Sequence, residues 1–405
     1  MQVIADLHIH SKYSIATARN MDLENIDLWA NKKGITVVGT GDFTHPIWIK
    51  EIKKNLEPAE KGLFRLKKSK SQMRFLLTSE ISCVYRKNNK VRKIHNLILS
   101  PDLKTVDQIS KKLDKIGNIN YDGRPMLGLD AKELAKIVLD INPNNLIIPC
   151  HVWTPWFSIF GAKSGFDSIE ECFDEYTKYI YAIETGLSSD PEMNWRLSML
   201  DNVTLISNSD AHSPSKLGRE ANILDCELSY LGIIDAIKSR DLKKFKATIE
   251  FFPEEGKYHF DGHRNCKTRL TPQETIKYNY LCPKCKKPVT IGTMHRVEKL
   301  ADRKKGYKPK NRPKSIHLIP LAEIIADILG FRPPALKVQT EYEKLIANFK
   351  SEFDILLNAP IEDIAKVSTF KIANAIKNVR EGKVNILPGF DGEFGIISVK
   401  ENSKS

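Results

Sequence analysis

"ADLHIHSKYS" (residues 5–14) sets two histidines two positions apart, directly after an aspartate and an apolar start. In an extended strand, residues i and i+2 face the same way. Asp6, His8 and His10 are therefore expected to project together from the end of a strand begun by Val3 and Ile4. Imidazoles held side by side grip metals, whereas the plain alternative is a pair of surface histidines on an edge strand. The rest of the chain has to decide.

Moving outward, six further stretches read as buried strands: "GITVVGTGDF" (34–43), "RFLLTSEIS" (74–82), "HNLILS" (95–100), "NLIIPCHVW" (145–153), "YIYAIETG" (179–186) and "VTLISNSDAH" (203–212). Helical patterns lie between several of them, such as "MDLENIDLWANKKG" (21–34) and "DAKELAKIVLDIN" (130–142); Asn20 is the expected N-cap of the first and Gly34 its stop. Strands alternating with helices argue for βα units and a parallel sheet, open or closed into a barrel. "VYRKNNKVRKIH" (84–95) instead reads as a hairpin turning at Asn88-Asn89. Polar residues gather where the strands end: His8 and His10, Asp42, Glu80, His151, Glu184, and Asp210 with His212. In β/α barrels the site is built at the C-terminal strand ends.

The candidate metal ligands are His8, His10, Asp42, His45, Glu80, His95, His151, Asp210 and His212. Mixed imidazole and carboxylate donors suit Zn²⁺, Mn²⁺ or Fe better than Ca²⁺. A carboxylate such as Glu80 could bridge two ions roughly 3.5–4 Å apart, the arrangement that clamps an in-line phosphoryl displacement. Singly, each residue has a duller role, for example Glu80 as a strand-end cap or His95 as a core imidazole.

A second constellation is His263-x2-Cys266-x15-Cys282-x2-Cys285. Two short ligand pairs about 15 residues apart have the spacing of a structural tetrahedral zinc site. His259 or Asp261 could replace His263, and buried thiols are the alternative for the cysteines. The other cysteines, 83, 150, 172 and 226, lie in or near apolar strand patterns and are expected in the core.

The bulk properties bound the rest. With 405 residues the chain is expected to form two or three domains. Seven cysteines without a secretory leader point to a reducing cytoplasm. No apolar run approaches the ~20 residues of a membrane span, so no membrane partner is expected. Net charge is +13, and residues 286–316 hold eleven Lys or Arg against Glu298 and Asp302, an excess of +9. Further basic runs are "RLKKSKSQMR" (65–74) and "RKNNKVRK" (86–93). Phosphate contacts by such residues supply most non-specific nucleic-acid affinity, although solvated lysines would look the same. From about residue 317 helical patterns dominate, including "LAEIIADILG" (321–330), "EYEKLIANFKSEFDILLN" (341–358) and "IEDIAKVSTFKIANAIKNVREG" (361–382). "VNILPGFDGEFGIISV" (384–399) then reads as two short strands around a Gly-rich turn.

"DLHIHSKYS", "TSEIS", "KIHNLIL", "IPCHVW" and "NSDAH", in this order, resemble the polymerase-and-histidinol-phosphatase (PHP) family. That likeness implies an α/β fold with a distorted (β/α)7 barrel holding two or three divalent metals (Zn, Mn or Mg) for phosphoester hydrolysis. By position, His8, His10, Glu80 and Asp210 would hold one ion, and Glu80 would bridge to a second completed by His95 and His151. Asp210, Glu80 and His151 are the implied catalytic residues, and His212 matches a ligand of a third metal. Ala16 stands where trinuclear members carry a histidine and Phe43 where another belongs, so the third site is left open, with Asp42 or His45 as substitutes.

"GKYHFDGHRNC" (256–266), "CPKC" (282–285), "IGTMHRVEKLAD" (291–302) and residues 20–48 narrow the resemblance to the endonuclease Q family. The implied organisation is a PHP domain over 1–240, a basic zinc-binding lobe over 241–316 and a mainly helical domain over 317–405. The implied activity is DNA repair: cutting double- or single-stranded DNA 5′ to deaminated bases (uracil, hypoxanthine, xanthine) and abasic sites. A phosphatase for a small phosphate monoester is the alternative. A metal site in a barrel mouth cannot survey stacked bases, so the lesion is expected to be turned out of the helix. Trp153, Trp156, Phe157 and Phe160 are candidate pocket walls, and Lys163, Lys216, Arg219, Arg296, Arg303, Lys304 and Lys305 candidate DNA contacts. A sliding clamp is a candidate partner, although no clamp-binding peptide stands out.

Overall fold

A computed structural model describes residues 1–399. The opening strand, Gln2–Asp6, is apolar and central. It pairs in parallel with Val37–Gly39 and antiparallel with Ala221–Asp225, so the chain's first residues lie in the middle of the main sheet. Val37–Gly39 continues in parallel to Arg74–Lys87. From there the sheet departs from a simple βα repeat. Arg74–Lys87 folds back on Lys90–Ser100 as a long antiparallel hairpin, and Lys90–Ser100 pairs antiparallel with Leu146–Pro149.

The turn of that hairpin is where the sequence places it. Asn88 and Asn89 have φ of +54° and +58°, the two successive positive values that a two-residue I′ turn requires and that asparagine tolerates. Ala182–Glu184 and Thr204–Ile206 form a separate parallel pair. On the other side the main sheet runs through Ala221–Asp225 and Phe245–Glu250 to Lys314–His317. The result is a mixed sheet with helices around it, consistent with a distorted PHP-like barrel.

Local rules set the helix ends. Leu23–Lys33 ends at Gly34, whose φ of +86° suits glycine, as expected. Its N-cap is Asp22, however, not Asn20: the Asp22 carboxylate accepts from the Asn25 backbone N–H, one turn in, a reach Asn20 does not have. Leu321–Leu329 follows the sequence pattern, but the two longer C-terminal patterns are each broken. Leu336–Asn348 stops before Glu352–Leu357, and Ile361–Val367 before Phe370–Arg380. Ser351 and Thr369 act as N-caps there, their hydroxyls accepting from Asp354 N and Ile372 N. The apolar period runs through both breaks, so it hides them.

The helical end is fastened to the helix Leu23–Lys33 by a buried ion pair. Lys33 Nζ lies 2.7 Å from Glu352 Oε2, with both side chains almost fully buried. Glu352 also accepts from the Leu321 backbone N–H and the Tyr342 hydroxyl. Removing one partner of such a pair strands a buried charge, at a cost of about 3–5 kcal/mol. Glu352→Gln is expected to lower the urea midpoint accordingly, and the double variant Lys33→Met/Glu352→Leu to recover most of the loss.

A second tie is titratable. His317 Nε2 lies 3.2 Å from Asp190 Oδ2, whose other oxygen caps the short helix beginning at Pro191. Burial lowers the affinity of His317 for a proton, but the Asp190 bond and the charges of Asp190, Glu250 and Glu192 outweigh it and raise the pKa from 6.5 to about 9. The folded value lies above the unfolded one. This contribution is therefore complete below pH 6.5 and disappears as pH rises through about 9. Chemical denaturation between those limits is expected to show falling stability in the wild type and a flatter profile in His317→Asn.

Candidate metal centre and cleft

After Asp6 the chain stays extended, and a bridge from Ile9 to Ala211 carries it onward. Leu7 and Ile9 face the core, which leaves His8 and His10 on the opposite face, fully buried. Asp6 does not join them as a donor. Its carboxylate accepts from Ser209 N and Gly218 N and so pins the loop that carries Asp210.

Glu80 lies where the two histidines converge. Its Oε2 is 3.5 Å from His8 Nε2 and 3.2 Å from His10 Nε2, and Asp210 Oδ1 is 3.1 Å from His10 Nε2. The other oxygen, Oε1, is 2.6 Å from His95 Nδ1 and 3.2 Å from His151 Nε2. Two ligands of one tetrahedral ion, each bound at about 2.0–2.1 Å, stand about 3.3 Å apart, and most of these separations fall near that value. His8 Nε2, His10 Nε2 and Asp210 Oδ1 are buried without a hydrogen-bond partner, a costly state for groups that serve only to pack. His8, His10 and Asp210 form one group able to hold an ion, and Glu80, His95 and His151 another. One carboxylate faces both.

The rings are oriented from behind. Glu184 contacts His8 Nδ1 at 3.0 Å with both oxygens and also accepts from His151 N and Asn208 Nδ2. Asp42 contacts His10 Nδ1 at 3.1 Å and accepts from Ser11 N and the Ser11 and Ser14 hydroxyls. A carboxylate behind a metal-binding imidazole fixes its tautomer and raises its basicity. Asp42, read from the sequence as a ligand, thus stands one layer back. His45 is not at the centre either: it caps the helix Pro46–Asn55, and its Nε2 bonds to Asn120 O. His212 packs its ring 4.6 Å from that of His10 and bonds through Nδ1 to Asp210 O. Among the described residues it belongs to no group of donors able to hold a third ion.

Charge explains the titration of the centre. Burial pushes the Glu80 carboxyl up, but His95, Arg124 and His8 outweigh it and hold the group well below the usual range. Burial likewise opposes the charged forms of His8 and His10, and Glu184 and Asp42 overcome it, raising both well above 6.5. His95 goes the other way: burial outweighs the pull of Glu80 and takes it to about 4. Glu80, Glu184, Asp42 and Asp210 together require compensating positive charge, and divalent ions would displace protons from the rings in supplying it. Asp42, His151 and Asp210 also have positive φ, +50°, +31° and +47°, backbone strain of about 1–3 kcal/mol each that typically marks functional sites.

The centre opens into a cleft lined by His95, His151 and Asp210, by Arg124, Lys216 and Arg219, and by Trp156, Phe157, Tyr258 and Phe394. Arg124 has no signal in the sequence beyond a turn-like "DGRP". Its guanidinium donates to Glu80 Oε2 at 3.3 Å. Arg219 donates to the Ser209 and Asp210 carbonyls and makes no pair with Glu220, which is buried. Lys216 is paired with Glu323 at 2.6 Å.

Other candidates lie elsewhere. Trp153 is buried, packs on Phe160 and donates to Asn194, so it is core; Phe160 is core as well. Arg296 is buried, donating to the Phe160 and Phe166 carbonyls and to Asp167. Arg303 pairs with Asp201 and donates to Trp195 O. Arg296, on the helix Thr293–Leu300, anchors it to the 160–167 segment, and Arg303 anchors the following loop to the 195–201 segment. Lys163, Lys304 and Lys305 are exposed, outside the cleft.

The second constellation also assembles. His263, Cys266, Cys282 and Cys285 bring their ligand atoms within 4.8 Å of one another. His263 Nδ1 is 3.6 Å from Cys285 Sγ, the separation expected of nitrogen and sulfur on one tetrahedral zinc, about 3.6 Å. Burial opposes the Cys282 thiolate, but the Lys284 and Cys285 backbone N–H groups point at its sulfur and bring it down to about 6. The alternatives fall away: Asp261 is engaged by Gly292 N and His295 Nδ1, and His259 is buried outside the group.

Comparison with known proteins agrees with this architecture. The family described as the MJ0043 C-terminal domain matches residues 320–383. The uncharacterized protein MJ0043 of Methanocaldococcus jannaschii is 37% identical over 255 residues, 61% of this chain but 31% of that longer protein. The crystal structure of the lesion-specific endonuclease PfuEndoQ from Pyrococcus furiosus is similar over 99% of this chain and 96% of that one, at 35% identity and TM-score 0.88. An endonuclease Q complex with a 27-mer duplex carrying an abasic lesion at the active site is similar at 34% identity and TM-score 0.86, covering 99% and 97% of the two chains.

Glu184 touches no group of the cleft except through His8 and His151. Glu184→Gln is accordingly expected to weaken metal binding about 10–100-fold while the protein stays folded, as read by titrating metal-free protein with Mn²⁺ or Zn²⁺.

Proposed function

This chain belongs to the endonuclease Q family of PHP phosphoesterases, and on that premise we propose that it is a metal-dependent endonuclease incising DNA 5′ to deaminated bases and abasic sites. The observation that carries the proposal is Glu80, a buried carboxylate with ring nitrogens against both of its oxygens, directly behind the His95 and His151 rings that line a cleft furnished with both basic and aromatic side chains. A small phosphate monoester has no use for the aromatic residues.

His8, His10, Glu80 and Asp210 would hold one ion, and Glu80, His95 and His151 a second. When bound, the two ions supply an activated water and offset charge on the phosphate. Glu184 and Asp42 keep the rings in the tautomers that ligation needs. Arg124, Lys216 and Arg219 meet the phosphate and neutralise it from the cleft wall. The lesion nucleotide leaves the stack, and weakly paired or missing bases cost least to extrude. His263, Cys266, Cys282 and Cys285 would hold a structural zinc that sets the lobe beside the cleft. The reading extends to a (β/α)7 barrel, to three parts divided at residues 240 and 316, with Phe245–Glu250 and Lys314–His317 nevertheless paired into the main sheet of the first part, and to a reducing cytoplasm, which suits seven cysteines with no disulfide among them. No helix among the described residues is long and apolar enough to cross a membrane.

With Mn²⁺ or Mg²⁺, a duplex containing one uracil, hypoxanthine or abasic site is expected to be cut immediately 5′ to the lesion, while an undamaged duplex is left intact. EDTA should abolish the cut and Asp210→Ala lower its rate by about 10²–10⁴-fold. Turnover of a phosphate monoester with no incision of any duplex would instead identify a phosphatase.

A further inference from the structure

Three aromatic side chains of the cleft wall lie together although they come from segments far apart in sequence. Trp156 follows the His151 turn, Tyr258 belongs to the lobe, and Phe394 lies on the C-terminal hairpin formed by Asn385–Leu387 and Ile396–Ser398. Trp156 is 44% exposed and Phe394 72%. Aromatic faces open to water around a cleft mark a binding surface more than isolated exposed apolar residues do.

The hairpin is fixed against the lobe by close backbone contact. Gly389 N donates to Glu254 O at 2.7 Å and Gly395 N to Glu255 O at 2.9 Å, and Phe390 bridges to Phe260. A Cβ on Gly395 would lie 2.2 Å from Glu254 O, and one on Gly389 2.5 Å from Gly256 O. Only glycine allows the approach at these two positions. Asp391 accepts from Arg264 N, and Glu393 pairs with Lys267 at 2.6 Å. Phe394 therefore lies between two anchored neighbours, while its own ring is left facing the cleft. Lys257 Nζ stands 5.7 Å from the ring centroids of both Tyr258 and Phe394, and Trp156 meets Tyr258 edge to face at 6.3 Å.

We propose that Phe394 is a stacking face for the base of the turned-out nucleotide, and so sets how well base-bearing lesions compete with base-less ones. The proposal rests on the endonuclease reading above. A base has a π-face to stack and an abasic sugar has none, so the ring can favour only lesions that retain a base. The phosphate and metal contacts belong to other residues, Arg124, Lys216, Arg219 and the His/Glu/Asp cluster, and serve both kinds alike.

The test is single-turnover incision of uracil, hypoxanthine and abasic duplexes by the wild type, Phe394→Ala and Phe394→Trp. Phe394→Ala is expected to lower incision at uracil and hypoxanthine about tenfold more than at the abasic site, and Phe394→Trp to restore the ratio. The exposed ring leaves the fold intact, which an unchanged melting temperature will show. Equal losses on all three substrates, or no loss, would overturn the role of Phe394 while leaving the endonuclease reading in place. Failure of the wild type to cut any of them would overturn both.

Discussion

Everything at the centre depends on one buried negative charge. Glu80 is inside the fold, with His8 and His10 against one oxygen, His95 and His151 against the other, and Arg124 above. A carboxylate taken out of water at this depth is tolerable only where positive charge surrounds it. The strand carrying it is held in register with its neighbour over eleven pairs, Glu80 opposite Leu97 and Ser82 opposite His95. A slip of one residue would turn Glu80 to the other face and separate it from every one of these groups. The length of that hairpin is therefore a requirement of the site as much as of the sheet.

The second layer spreads the same constraint through the mixed sheet. Glu184 belongs to a strand in a different pair, yet it orients His8 and receives the backbone N–H of His151. Asp42, on a strained left-handed turn, orients His10 and gathers two hydroxyls. Asp6 ties the opening strand to the loop bearing Asp210. Apart from His212, each polar strand end faces either the cluster of donor atoms or the rings within it, and strain at the turns accompanies that aim.

The outer parts complete the cleft. The lobe contributes Tyr258 and Lys257, the C-terminal hairpin Phe394, and the helical end holds Lys216 through Glu323. The basic segment 286–316, read from its charge as a DNA surface, proves divided. Its arginines 296, 303 and 312 turn inward onto carbonyls and carboxylates, and its lysines stay in water. Arginine's planar fork suits it to that anchoring and lysine's hydrated point charge does not.

By itself the sequence determined the strand ends, the donor types and their order. His8 and His10 are legible because strand periodicity puts i and i+2 on one face, Glu80, His151 and Asp210 because they close apolar strand patterns, and His95 through the resemblance to the PHP family. The Cys282-x2-Cys285 knuckle is legible because ligand spacing is local. Tertiary structure alone decided which carboxylates stand behind the rings, since Asp42 and Glu184 have the same chemistry as a ligand and differ only in depth. It also moved His45 to a helix cap, sent Trp153 and Arg296 into the interior, and brought Arg124, Tyr258 and Phe394 to a cleft their local sequences do not announce. Spacing along the chain encodes what one element can present, whereas the distance between elements is set by packing, which no single stretch of sequence contains.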